Sequence, residues 1–104
     1  MSDVKSIGIL LFNGPDSADS GTVAGLSERA LNRGLEVEIF MMHEAVLNST
    51  NEKFIRLADS GAKITVCSHN SDQLEAERNE KFKYGSQYDH SNMILNVDRY
   101  LSFI

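Results

Sequence analysis

"SIGILLFNGPDS" (residues 6–17) sets the architecture of this chain. From Ser6 to Phe12 the residues are apolar without polar alternation, which reads as a strand covered on both faces. Asn13-Gly14-Pro15 ends it in a turn. A helical pattern follows at once: Val23, Leu26, Ala30 and Leu31 recur at helical spacing between Ser17 and Arg33, and Gly34 supplies a stop. A strand buried on both sides that runs into a helix is the first half of a strand-helix-strand crossover, the unit from which parallel sheets are built.

The rest of the chain repeats that alternation. "LEVEIFMM" (35–42) alternates and then turns continuously apolar, as a strand entering a sheet does. Ser49 with Glu52 three residues on forms a capping box, and Phe54, Ile55, Leu57 and Ala58 give the helix behind it an apolar face before Gly61. "AKITVCS" (62–68) is a third strand, and "SDQLEAERNEK" (71–81) is polar, helix-favouring and expected to lie exposed. "FKYGS" (82–86) reads as a short fourth strand. "YDHSNMILNV" (88–97) reads as a helix with Met93, Ile94 and Val97 inward, and "DRYLSFI" (98–104) as a last strand. The expected fold is α/β: one domain over residues 1–104, a mostly parallel sheet with right-handed crossovers, and helices on both faces. No internal repeat, low-complexity stretch or linker interrupts it.

Composition narrows the function classes. A chain of 104 residues fits about one domain, and 41% hydrophobic with 24% charged residues suits a globular core rather than disorder. Ten basic against 15 acidic residues give a formal charge of -5, which argues against a nucleic-acid partner because the counterion-releasing basic patch is missing. The apolar runs are far shorter than the ~20 residues of a membrane span, so no membrane segment is expected. "MSDVKSIGILLF" has no basic leader, and a single cysteine fits a reducing compartment, so a cytoplasmic location is expected.

In parallel α/β sheets, chemistry collects at the carboxyl ends of the strands. Three segments fall there: "NGPDS", "MMHEAV" and "CSHN". The first offers backbone N–H groups but neither a dinucleotide nor a P-loop fingerprint. His43, Glu44, His69 and His90 lack metal-ligand spacing, so no metal is expected, and each histidine reads first as a surface or loop residue. A phosphoacceptor receiver would carry carboxylates where Asn13, Gly14, Cys67 and Ser68 stand. Cys67 remains. A lone cysteine is often a packed apolar filler. Its place at a strand end, with Ser71 available to cap a following helix, also suits a reactive thiolate. With no second cysteine to close a disulfide, such a thiolate suits sulfur carriage better than dithiol cycling.

Taken together, the strand leading to "NGPDS", "EIFMMHEAVLNSTN", "GAKITVCSHN" and "DRYLSF" resemble the DsrE/DsrF-like sulfur-relay family, which includes TusD-like sulfurtransferase subunits. The likeness runs nearly end to end. It implies a flavodoxin-like fold, no cofactor, and assembly into homotrimers or homohexamers, sometimes with unlike subunits. It also implies that Cys67, directly after the apolar residues of the third strand, accepts sulfane sulfur from a donor protein as a persulfide and passes it to an acceptor. His69, Ser68 and Asn70 are adjacent candidates for tuning the thiol or holding the terminal sulfur, and Asn13 and Gly14 for lining the same edge. Where other members have small apolar residues and a basic pair after the cysteine, this chain has the polar and acidic "SHNSDQLEAERNEK". Family subunits without a reactive cysteine act as structural or binding components, which is the alternative function for this chain.

Overall fold

A computed structural model describes residues 3–104. Its elements are β1 (Ser6–Leu11), α1 (Ala18–Asn32), β2 (Glu36–Met41), a 3-10 segment (His43–Thr50), α2 (Glu52–Asp59), β3 (Lys63–Cys67), α3 (Ser68–Gln73), β4 (Lys83–Gly85), α4 (Gln87–Asn96) and β5 (Arg99–Phe103). All five strands are parallel, in the order β4-β3-β2-β1-β5. The expected α/β alternation is therefore observed, with every strand of the sheet parallel.

The apolar run that opened the sequence occupies the centre, between β2 and β5. Alternation along β1 sends Ile7, Ile9 and Leu11 to one face and Gly8 and Leu10 to the other, and all five are buried. Both faces are covered, as the missing polar alternation requires. α1, α2 and the 3-10 segment pack with one another on the first face, and α3 packs on the 3-10 segment. α4 lies on the other, where Met93 and Val97 close on Gly8 so tightly that a Cβ there would stand 2.9 Å from Met93 Cγ. The switch of face follows from handedness. β1 to β4 step in one direction across the sheet, the crossover from β4 to β5 steps back past β1, and a right-handed crossover in reverse lies on the opposite side.

Gly34 and Gly61 follow α1 and α2 with φ of 83° and 110°, the left-handed region that favours glycine at a helix end. Three local expectations are corrected. Ser49 does not cap α2: residues 43–50 wind as the 3-10 segment, and Asn51 is the cap, its side chain accepting from Lys53 N at 3.1 Å. The helix after β3 begins at Ser68 and ends at Gln73, so most of residues 74–81 is exposed and non-helical. Ile94 is half in water rather than inward.

Candidate functional site

β1, β2 and β3 end side by side, which brings the loops after Leu11, Met41 and Cys67 to one edge. Cys67 is the last residue of β3 and at the same time the cap of α3. Its Sγ accepts the Asn70 backbone N–H at 3.5 Å, taking the place of the side-chain oxygen usual at this position. Ser71 does not cap the helix. It is the fourth residue of α3, buried, and its hydroxyl makes no hydrogen bond among the described residues. Cys67 is buried to 7% exposure.

Asn70 joins two of the edge loops. Its side-chain oxygen accepts the His43 backbone N–H at 2.8 Å, and its amide donates to Gln73 Oε1 at 3.0 Å. His43 is held there with φ 55°, an uncommon conformation for a non-glycine residue, and its ring stacks on Phe12 with centroids 4.4 Å apart. Ser68 accepts from Arg78 Nη2 at 2.8 Å. His69 is exposed and makes no hydrogen bond to Cys67 among the described residues. The fold thus gathers Cys67, Ser68 and Asn70, and leaves His69 on the rim.

Asn13 and Gly14 stand apart from that group. Asn13 Nδ2 donates to Asp19 Oδ2 at 2.9 Å, and Gly14 O accepts from Ser20 Oγ at 2.8 Å. Two depressions result, with Glu44 in the wall of both. One, of about 530 Å³, is lined by Asn13, Gly14, Asp16, Ser17, Glu44 and Leu47. The other, of about 350 Å³, is lined by His43, Glu44, Asn70, Gln73 and Leu74. Nothing in the sequence marks Glu44 as the shared residue, because only the 3-10 turn after Met42 places it between the loops.

His90 also departs from the surface reading. It is half-buried in the α4 face, stacked on Phe40 at 5.1 Å. Gln87 Nε2 donates to Met42 Sδ at 3.5 Å, which leaves Gln87 Oε1 to accept from His90 Nδ1 at 3.1 Å. Nε2 then accepts the Tyr100 hydroxyl at 2.8 Å. Burial lowers the histidine pKa and raises that of the tyrosine, so both groups are held neutral. Its position three residues before Met93 and seven before Val97 is the sequence pattern that places it inward. Among the described residues no group of three or more His, Cys, Asp or Glu side chains is placed to hold a metal ion, and no helix is long and apolar enough to cross a membrane.

No family model and no curated protein matches the chain. Solved structures do. The ychN protein from E. coli superposes with a TM-score of 0.77 at 17% identity, over 95% of this chain and 99% of that one. A conserved protein of unknown function from Bacteroides thetaiotaomicron gives 0.68 at 15% identity, over 92% and 94%. Both have DsrE-like folds, so the flavodoxin-like, DsrE-like architecture expected from the sequence is the observed one.

Proposed function

We propose that this protein is a sulfur carrier of the sulfurtransferase type, with Cys67 as its nucleophile. The observation that carries the reading is the place of Cys67 within a DsrE-like fold: it ends β3 at the carboxyl edge, and its Sγ accepts the Asn70 N–H at the start of α3. In the proposed step the Cys67 thiolate attacks the terminal sulfur of a donor persulfide, R–S–SH. The donor S–S bond breaks, R–S⁻ leaves, and a new bond joins Sγ to the transferred sulfur. An acceptor thiolate then attacks that terminal sulfur and Cys67 leaves as thiolate, so no external oxidant or reductant is consumed. Asn70 orients the thiol through its N–H, Ser68 and His69 follow it toward the surface, and Asn13 and Gly14 line the neighbouring depression. Donor and acceptor are separate proteins. We further propose assembly as a trimer or hexamer, with like or unlike subunits. The exposed Tyr88 and Leu95 on α4 support this, at 74% and 81% exposure.

The test is intact mass after incubation with a persulfide donor. One sulfur atom, about 32 Da, is expected on the wild type and not on Cys67→Ser. No addition, or equal addition to both, rejects the reading. One observation favours a second reading, a non-catalytic subunit of the same architecture: Cys67 is only 7% exposed. In that case the native thiol alkylates no faster than a buried one.

A further inference from the structure

We infer that the two depressions at the strand-end edge beside Cys67, one of them lined by its hydrogen-bond partner Asn70, form a docking surface for a basic segment that carries an apolar side chain, offered by the protein with which Cys67 exchanges sulfur. The inference rests on the carrier reading above and adds the chemistry of the partner.

Two features combine at this edge. Leu47 and Leu74 are 39% and 42% exposed, one in each depression, on either side of Glu44. Such side chains offer an apolar contact on both flanks of one carboxylate. The charges that line the depressions have one sign. Asp16 and Glu44 line the depressions and are exposed, and Asp72, Glu75 and Glu77 are exposed on and just after α3. Neither depression is lined by a lysine or arginine. Arg78, which does reach this rim, is already engaged: it bonds Ser68 Oγ and Asp72 Oδ1, the latter at 3.3 Å, and lies 4.4 Å over the Tyr84 ring. The lysines nearby in sequence are likewise committed, Lys81 to Asp59 and Lys83 to Asp89.

A rim of one sign concentrates ligands of the other and raises their encounter rate, while like charges are turned away. The fitting occupant therefore brings ammonium or guanidinium groups to Glu44 and Asp16, and an apolar side chain to Leu47 or Leu74.

Three symmetrical disulfides test this: cystamine, with two ammonium groups, bis(2-hydroxyethyl) disulfide, which is neutral, and dithiodiglycolate, with two carboxylates. The rate of mixed-disulfide formation at Cys67 is followed by intact mass at pH 8, where imidazoles carry little charge, and each rate is divided by that of the urea-unfolded chain with the same probe. The folded protein is expected to favour cystamine over dithiodiglycolate by about tenfold or more at low salt. That ratio should fall several-fold in 1 M salt, where the Debye length is about 3 Å. Glu44→Gln should lower it without salt. A ratio near one at low salt, or one that neither salt nor Glu44→Gln changes, overturns the docking inference. If the neutral probe still labels Cys67 in that case, the carrier reading stands without it. If none of the three labels the folded protein, both fall.

Discussion

Asn48→Ala probes what holds the edge loops in place. Asn48 is fully buried in the 3-10 segment. Its Nδ2 donates to Ser20 Oγ and to Ala45 O, both at 3.1 Å, and its Oδ1 accepts from Asn51 Nδ2 at 2.9 Å. Ser20 in turn donates to Gly14 O. One amide thus ties the loop after β1, the first turn of α1 and the segment carrying Glu44. Each hydrogen bond contributes about 0.5–1.5 kcal/mol net, and a buried acceptor stripped of its donor costs about 1–3 kcal/mol more. Asn51 can turn to water and Ser20 keeps Gly14, so the Ala45 carbonyl is the group that loses a buried donor. The expected loss is about 3 kcal/mol. For a domain of this size that lowers Tm by roughly 12–24 °C. Urea unfolding followed by circular dichroism gives the free energy, with m unchanged if the unfolded state is the same. Ser20→Ala in the Asn48→Ala background should cost about 1 kcal/mol less than in the wild type. A loss below about 1 kcal/mol for Asn48→Ala, or strict additivity with Ser20→Ala, refutes the network as the tie.

Three further outcomes are expected. Gly8→Ala forces a Cβ against Met93 and Val97 and should cost about 1–3 kcal/mol by overpacking, with Met93→Ala restoring part of it in denaturant titrations; a neutral Gly8→Ala contradicts the close approach of α4. The Lys5 and Ser6 N–H groups hold the Asp98 carboxyl below its ordinary pKa. Its contribution to stability is therefore present above the unfolded value and lost as pH falls through the lower folded one. Asp98→Asn should flatten the acid limb of the stability profile, and an unchanged limb refutes the assignment. His90, its pKa lowered by burial, binds its proton less readily folded than unfolded, so stability should decline as pH falls below the ordinary histidine value of about 6.5. An NMR titration of the His90 ring with a midpoint at or above that value would contradict its burial.

The fold was legible because its strands are written in the plainest code. Continuous apolar runs at Ser6–Leu11 and in the second half of β2 need cover on both faces, and helical spacing between them leaves a crossover as the only connection. The helix ends were less readable. Ser49 and Asn51 are both competent caps two residues apart, and what decides between them is the burial of Ser49 in the 3-10 segment, a tertiary fact. Cys67 is not legible as a cap because sulfur is a poor acceptor, and its use there follows from α3 starting directly at the end of β3. The candidate site was legible as a set of strand ends but not as two depressions. Asn13 looks equivalent to Asn70 in sequence, yet its amide is spent on Asp19 while Asn70 bridges Cys67's helix to His43.

The position of β5 beside β1 has a consequence for how the molecule is reached as well as how it rests. Ser6 N–H meets the Asp98 carboxylate across 92 residues, so the contacts that complete the sheet are among the most distant in the chain. Loop closure of that length is unfavourable until strands, turn and α4 are all in place, and such pairings slow folding. Until then β1, the most apolar strand, is an edge with open backbone groups, and the strip at Gly8 and Leu10 lacks its cover. The β5 ladder closes this edge, and the Asp98 carboxylate, held by the Lys5 and Ser6 amides, ties down its start. A chain that folds in acid, with Asp98 protonated, should spend longer with that edge open and lose more of its product to self-association.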